Sequence, residues 1–268
     1  MLSLIRPIVL LLAVLLAAGT GLAQARPVKT DYVEAELVAE QLAVVPGQKL
    51  WIGLRLKHAS GWHTYWRNPG DSGLPTRIEW QLPPGFAAGP IQWPVPRRMP
   101  IPPLANYGYD GEILLPVELE VPASRFGAAN TPIRAHAEWL VCKTVCLPGS
   151  ADLELDLPVV QGSPAPDDRW AQLFAATRAA LPADIEGWQA AGEARGDTIE
   201  ILLRPTGGPA STAPRTAYFF SAVEGLVEPS RAQTVRLEDG VVKITLPVAV
   251  QLVAAGADRR IDGVLVAD

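Results

Sequence analysis

Two cysteines carry the most reactive chemistry in this chain of 268 residues. Cys142 and Cys146 lie in the run WLVCKTVCLPG, with three residues between them. In a flat strand, residues four positions apart are about 13 Å from each other. A disulfide joins Cα atoms that lie within roughly 7 Å. The spacing therefore predicts that the backbone turns between the two cysteines if they are bonded.

Three functions suit such a pair. A structural disulfide closing so short a loop stabilises a fold by about 2 kcal/mol, against roughly 4 to 5 for a loop near 100 residues. A redox pair needs this proximity, because the second thiol resolves the mixed disulfide that the first one forms, and Lys143 between them can stabilise a thiolate. Two thiolates also suit Cu(I). No Met-rich or His-rich cluster supports copper, and we expect neither a metal nor a cofactor.

An aromatic segment, GWHTYWRNPG, offers a second kind of site. In a strand, Trp62 and Trp66 share one face, while His63 and Tyr65 point the other way. Exposed aromatic rings can bind sugars, whereas buried ones fill a core. The alternative function is thus a non-enzymatic β-sandwich module that binds carbohydrate, a partner protein or Cu(I) and holds a structural disulfide.

The elements that must position these residues are mainly strands. Period-two alternation of apolar and polar residues predicts half-buried antiparallel strands. They run over 31–39, 49–58, 76–81, 113–121, 133–142 and 153–157. The cysteines follow one of these strands and precede the next, so they lie at the tip of a hairpin-like unit. The proline-dense stretch from Pro83 to Pro103 predicts loop and edge structure, because proline cannot donate to a sheet ladder.

A candidate linker, Gln161 to Asp167, precedes a second region. A helix is predicted next, capped by Asp167 or Asp168 and ended by Pro182. Further strands are predicted over 198–203, 216–221, 233–237, 241–248 and 261–266. The expected fold is all-β, with a second, smaller β-rich domain that begins with one helix.

The N-terminus has the pattern of an export signal. A charged start, a short leucine-rich run and Ala23-Gln24-Ala25 predict a signal peptide over residues 1–25, cleaved after Ala25. The apolar run is shorter than the roughly 20 residues that span a membrane. Export places the cysteines where disulfides persist. The net charge of −5 and the absence of a basic stripe argue against nucleic acid as a partner.

The cysteine run, together with WHTYWRNPGDSGLPTRIEW and NYGYDGEILLPVELEVP, resembles the N-terminal periplasmic domain of the DsbD-type protein-disulfide reductases. The chain is most similar to the ScsB branch, named for suppression of copper sensitivity. The likeness covers roughly 31–160 and continues more weakly through AYFFSAVEGLVEPSRAQ. It implies an immunoglobulin-like β-sandwich over 26–162 as the redox domain, followed by a second sandwich-like domain over 163–268.

The resemblance also implies a role for each site residue. Cys146 would be the accessible, attacking thiol and Cys142 the resolving one. The family's short cap loop over the pair corresponds to Asn106, Tyr107, Gly108, Tyr109 and Asp110, with Tyr107 as the shielding aromatic. Expected partners are periplasmic thioredoxin-like proteins, as electron donor and as oxidised acceptor. The chain carries no thioredoxin-type C-x-x-C, so a membrane reductase portion beyond it, or another protein, would have to reduce it.

Overall fold

The computed structural model describes residues 24–123, 129–210, 212, 214–248 and 261–268. Most of the predicted signal peptide, residues 1–23, lies outside this described part. Among the described residues, no helix is long and apolar enough to cross a membrane.

Two antiparallel sheets pack face to face and form the first lobe, residues 24–160. The strands of the first sheet are β1 (Gln24–Ala25), β5 (His63–Gly70), β6 (Arg77–Gln81), β8 (Arg97–Ile101), β9 (Leu104–Asp110), β11 (Asn130–Cys142) and β12 (Cys146–Pro158). Their order is β1-β12-β11-β5-β9-β8, and β6 also pairs with β11. This arrangement confirms the expected immunoglobulin-like sandwich.

The second sheet supplies the other half of the core. Its strands are β2 (Val28–Lys29), β3 (Val33–Ala39), β4 (Lys49–His58), β7 (Ala87–Ala88) and β10 (Glu112–Glu120), in the order β2-β3-β4-β10-β7. Alternate residues of β4, Leu50, Ile52, Leu54 and Leu56, are buried between the sheets. The proline-dense stretch supplies β7 and β8, which are edge strands, as its composition predicts.

The longest ladder among the described residues is that of the β11–β12 hairpin. It pairs every residue from Asn130, opposite Pro158, to Cys142, opposite Cys146. Val141 packs in the core and its neighbour Cys142 points away from it, because successive residues of a strand alternate between faces. We call the side of the first sheet that points away from the second sheet the outer face.

One helix, α1 (Ala171–Ala179), packs on the second sheet of the first lobe. Phe174 is buried there against Val38 and Leu114. The predicted capping by Asp167 or Asp168 is wrong, because the N-cap residue is Trp170, without a side-chain cap. The carboxylate of Asp167 instead binds the backbone N–H and the guanidinium of Arg169.

The second lobe, residues 188–268, is smaller and also made of strands. Four strands form one sheet in the order β13-β14-β17-β16, and two form another. They are β13 (Trp188–Arg195), β14 (Thr198–Pro205), β16 (Thr234–Glu238) and β17 (Val241–Pro247), then β15 (Ala217–Ser221) with β18 (Gly263–Ala267). The expected second β-rich region is confirmed.

The two lobes share part of one core. Phe220 of β15 and Val264 of β18 are buried in the hydrophobic cluster of the first lobe. The ring of Phe220 meets those of Trp66 and Tyr107 edge to face, with centroids 6.4 and 5.0 Å apart. We call Trp66, Tyr107, Tyr218 and Phe220 the lobe junction. The second lobe thus covers apolar surface that the first lobe would otherwise expose.

Candidate functional site

The hairpin tip holds a disulfide. Cys142 and Cys146 are bonded, with their Cα atoms 4.1 Å apart, so the backbone turns between them as the spacing predicts. The N–H of Lys143 donates to the carbonyl of Val145 and closes the turn. Cys142 is only 2% exposed, whereas Cys146 lies on the surface. The two sulfurs therefore differ in access: a partner can reach Cys146 without moving the sheet, but not Cys142.

A row of paired residues leads across the outer face to this disulfide. His63 on β5 lies opposite Asp110 of β9 and opposite Cys142 of β11. Cys142 in turn lies opposite Cys146 of β12. Side chains of directly opposed residues point to the same face, with Cβ atoms roughly 4.5 to 5.5 Å apart. Four strands thus place a carboxylate, an imidazole and two sulfurs side by side.

Tyr65 touches the disulfide directly. Its hydroxyl lies 3.5 Å from Sγ of Cys146, and it is the donor because a disulfide sulfur carries no proton. The ring of His63 packs edge-on against that of Tyr65, with centroids 5.3 Å apart. Burial raises the pKa of the Tyr65 phenol, opposed by a hydrogen bond from Asn106. The phenol therefore stays protonated and keeps its donor.

A short loop, residues 71–74, holds the Tyr65 ring in place. Gly73 has a φ of +113°, and a Cβ there would lie 2.3 Å from the ring of Tyr65, so only glycine lets the loop approach this closely. The carboxamide oxygen of Asn106 accepts hydrogen bonds from the N–H and the hydroxyl of Ser72. Asp71 accepts the N–H of Ala105. The loop is thus tied to β9 on both sides of the tyrosine.

His63 has an unused nitrogen. The residue is 7% exposed, and its Nε2 is buried with no hydrogen-bond partner among the described residues. Burial lowers the pKa of the imidazole, and Asp110 opposes that shift. The ring is therefore neutral at pH 7, and a neutral imidazole has one nitrogen that can accept a proton.

Three exposed apolar side chains belong to the segments that carry or contact the disulfide. Val145 in the turn is 57% exposed, Leu147 is 37% exposed and Leu74 of the tyrosine loop is 60% exposed. A groove of about 400 Å³ continues from Leu74 to Pro148 and is flanked by Arg77 and Glu138. This is a surface of mixed apolar and charged character next to the reactive bond.

The five residues predicted as a cap form strand β9 and meet different surroundings. Tyr107 is fully buried in the lobe junction, where its hydroxyl lies 3.0 Å from that of Tyr218. Tyr109 is buried too, and its hydroxyl donates to the carbonyl of Pro94. The structure therefore does not bring Tyr107 to the disulfide, and the aromatic residue in contact with Cys146 is Tyr65 instead.

The other members of the predicted cap lie on the outer face. Asn106 supports the tyrosine loop. A Cβ on Gly108 would lie 2.1 Å from the carbonyl of Thr64, so a side chain has no room there. Asp110 forms an ion pair with Arg97 at the edge of the sheet. The ammonium of Lys143 lies 3.4 Å from the carbonyl of Ser60, which directs it along the neighbouring turn.

The aromatic segment is packed and not an open platform. Trp66 is buried in the lobe junction. The ring of Trp62 stacks on that of Tyr32, with centroids 3.7 Å apart. Neither face that the sequence offered for sugar binding is free in this conformation. In the described part of the chain, no cluster of three or more histidine, cysteine or acidic residues could hold a metal ion.

Sequence reasoning placed His63 and Tyr65 on one face but gave them no role. The missing information was which strands lie beside β5, since the neighbours β9 and β11 come from distant parts of the sequence. The available signal was the alternation itself, which separates His63 and Tyr65 from the core-facing tryptophans.

The fold and the site define a class: an immunoglobulin-like domain with a disulfide at the tip of an exposed hairpin. Residues 33–158 match the family model described as the N-terminal domain of the thiol:disulfide interchange protein DsbD. This part of the chain therefore has the sequence pattern of a DsbD-type N-terminal domain.

Comparison with solved structures extends the likeness beyond that family match. The crystal structure of the N-terminal periplasmic domain of ScsB from Proteus mirabilis superposes with a TM-score of 0.63 at 19% identity. The match covers 89% of this chain and 90% of that one, so the folds agree over both lobes. The sporulation control protein Spo0M from Bacillus subtilis aligns at 9% identity with a TM-score of only 0.25. No curated protein matches the chain.

Proposed function

We propose that this chain is a thiol–disulfide exchange module that passes electrons through Cys142 and Cys146 to oxidised proteins of the periplasm. The observation that carries the proposal is the disulfide at the hairpin tip, with one sulfur accessible and the other buried. In such exchange, a thiolate attacks a disulfide sulfur and forms a mixed disulfide, which a second thiol resolves.

The unequal exposure supports a different step for each cysteine. In the reduced protein, the surface thiol of Cys146 attacks the disulfide of an oxidised partner. Cys142, buried beside it, attacks Cys146, releases the reduced partner and restores the bond. Tyr65 donates a hydrogen bond to the Cys146 sulfur, which stabilises the thiolate form. Lys143 adds a positive charge to the same turn.

A protein suits this site better than a small thiol does. Val145 in the turn, Leu147 next to Cys146 in the chain and Leu74 of the tyrosine loop expose apolar surface, and burying that surface against a partner is favourable. We propose thioredoxin-like proteins as the partners, one as electron donor and others as acceptors. A membrane reductase portion, outside this chain or in another protein, would resupply the electrons.

Two observations support a periplasmic location. The similar domain of Proteus mirabilis ScsB is described as periplasmic, and a stable disulfide requires an oxidising compartment. We propose that residues 1–25 direct export and are removed after Ala25. A role in copper tolerance would follow if the partners include proteins that copper oxidises.

Trapping tests this function. In Cys142→Ser, Cys146 can still attack a partner's disulfide, but no second thiol is present to resolve the mixed disulfide. Mixed disulfides should therefore accumulate in the periplasm and dissociate on reduction. Mass spectrometry then identifies the captured proteins. The matched control is Cys146→Ser, whose remaining thiol is buried and should capture little.

A second measurement uses the disulfide itself. Its midpoint potential should lie above the roughly −300 mV that is typical of structural disulfides. A protein that captures nothing, and whose disulfide resists dithiothreitol, would have a structural disulfide and the proposal would be wrong.

A further inference from the structure

We propose that His63 is the base that removes the proton from Cys142 when Cys142 resolves the mixed disulfide. This inference rests on the proposed function and adds a residue to its machinery. It is carried by the row on the outer face, in which His63 stands directly between Asp110 and Cys142.

The strand register places His63 directly opposite the buried cysteine. Cys142 and His63 are opposed residues of adjacent antiparallel strands, and both point to the outer face. Opposed side chains on such strands have Cβ atoms roughly 4.5 to 5.5 Å apart, well within the reach of an imidazole ring. Tyr65 packs against the ring of His63 on one side and limits where it can turn.

The chemical state of His63 suits a base. Its Nε2 is buried and makes no hydrogen bond to any described residue. A buried polar atom without a partner is costly in a folded protein, so its presence needs an explanation. A thiol donor that exists only after the disulfide is reduced supplies one, because S–H of Cys142 can then donate to the free nitrogen.

Cys142 is the sulfur that needs assistance. It is 2% exposed, and a thiol in such surroundings forms the nucleophilic thiolate poorly. Cys146 is exposed and already has the hydroxyl of Tyr65 as a donor. A base next to Cys142 therefore affects the resolving step and not the first attack.

The proposed step balances as follows. His63 takes the proton of the Cys142 thiol and becomes imidazolium. The electron pair left on the Cys142 sulfur attacks Sγ of Cys146, the Cys142–Cys146 bond forms, and the bond from Cys146 to the partner sulfur breaks. The partner sulfur leaves as a thiolate. The other sulfur of the partner's disulfide was released when Cys146 attacked, so the partner has gained two electrons in all. The imidazolium then returns its proton to solvent.

The groups around His63 set the pH at which it works. Asp110 faces it from β9 and favours the protonated ring. His58 on β4 also lies near, and the charge of a protonated His63 lowers the pKa of His58. On the strand of His63, Tyr65 is neutral. On β11, Cys142 carries charge only as a thiolate. Burial outweighs the attraction of Asp110, so His63 remains a neutral base down to a pH below its ordinary pKa.

The test separates the two steps with one probe, 5,5′-dithiobis(2-nitrobenzoate). When it is mixed in equimolar amount with the reduced protein, attack by Cys146 releases one nitrothiobenzoate. Resolution by Cys142 then releases the second in a first-order phase. His63→Gln should leave the first phase unchanged and slow the second by about tenfold or more at pH 7, the lower range of general-base effects. The matched control is His136→Gln, on the exposed side of β11.

The pH profile of the unmodified protein gives a readout that folding defects do not mimic. With His63 as base, the rate of the second phase is nearly constant from pH 7 to 8 and falls only at lower pH. Without a base, the rate follows the thiolate fraction and rises about tenfold per pH unit below the thiol pKa. His63→Gln should show that slope and approach the unmodified protein above about pH 9.

The outcomes distinguish the two proposals. If the unmodified protein releases no nitrothiobenzoate in a second phase, Cys142 does not resolve and the exchange function itself is wrong. If both phases occur but His63→Gln matches the parent, or the parent shows no plateau, the exchange function stands and the role of His63 is overturned.

Discussion

Tyr65 and Tyr107 lie on adjacent strands of one sheet, yet they serve opposite regions of the molecule. Tyr107 is in the lobe junction, where its ring meets Trp66 and Phe220 and its hydroxyl pairs with that of Tyr218. Tyr65 is at the disulfide, beside an imidazole with an unused nitrogen. The two faces of the sheet thus separate a packed region from a reactive one.

The difference shows how one sheet can carry a packed region on one face and an accessible disulfide on the other. At the lobe junction, aromatic rings fill the space between two lobes, and the hydroxyls of Tyr107 and Tyr218 pair with each other. At the disulfide, Nε2 of His63 has no hydrogen-bond partner among the described residues, and apolar side chains stay exposed. Stability is therefore concentrated at the junction and reactivity at the hairpin tip, so mutations in the two regions should affect different measurements.

The largest effect is expected from Phe220→Ala in the lobe junction. Phe220 is a second-lobe residue buried in the core of the first lobe. Its truncation should lower the free energy of unfolding by about 3 kcal/mol or more, the usual cost of removing a buried phenylalanine ring. Urea unfolding, followed by tryptophan fluorescence, measures the change.

The control for this variant is Val223→Ala, two residues beyond β15 and 40% exposed. It should change the free energy of unfolding by less than about 0.5 kcal/mol. If Phe220→Ala were as mild as this control, the lobes would be independent units, and the contrast between junction and disulfide would not hold.

A smaller effect is expected from removing one hydroxyl in each region. Tyr107→Phe loses the hydrogen bond to Tyr218 and should cost about 1 kcal/mol of stability, with no change in thiol reactivity. Tyr65→Phe removes the donor to Cys146 and should slow alkylation of the reduced protein by iodoacetamide at pH 7 by about threefold, because the thiolate loses a hydrogen bond. Equal effects of the two variants on alkylation would contradict the separation.

A gradual effect is expected from pH. Burial lowers the pKa of His58 and of His63. An unfolded chain therefore binds more protons than the folded one below about pH 6.5, and the free energy of unfolding should fall as pH decreases through that range. Urea unfolding at pH 7.5 and 5.5 tests this. Burial raises the pKa of Tyr107 and Tyr218, so these junction phenols stay neutral over the same interval.

A histidine substitution tests which imidazole causes the loss of stability at lower pH. His63→Gln should reduce the loss of stability between pH 7.5 and 5.5, since one of the two buried imidazoles is removed. His136→Gln should not reduce it in the same way, because the pKa of His136 is raised and not lowered in the folded protein. A hydrogen bond that the imidazole donates to the carboxylate of Asp152 raises this pKa.

Much of the fold could be predicted because its core strands alternate strictly. The buried leucines of β4 and the alternating residues of β11 mark those strands in the sequence. Strand β13 gives no such signal, since all of its residues from Trp188 to Arg195 are exposed. The helix cap was misplaced because Asp167, a good capping residue in isolation, is occupied by Arg169.

The candidate site could be predicted only in its local part. The cysteine spacing indicated the turn, because a geometric limit applies within a few residues. Tyr65 and His63 reach the disulfide through pairing of β5 with strands far along the chain. Their contacts also depend on Gly73, whose missing side chain lets the loop close over the ring of Tyr65. Such contacts are set by topology, and no local pattern specifies them.

The thirteen-residue ladder between β11 and β12 has a consequence for the energetics of electron transfer. The disulfide only closes the last turn of a hairpin that is already held by backbone pairing. By the chain-entropy estimate, a disulfide that closes so short a loop stabilises the fold by about 2 kcal/mol. This free energy is equivalent to a shift of about 40 mV in the reduction potential of a two-electron couple. Conformational stability therefore biases the redox equilibrium only slightly. In the proposed function, the pair therefore cycles between thiols and disulfide without folding or unfolding of the hairpin.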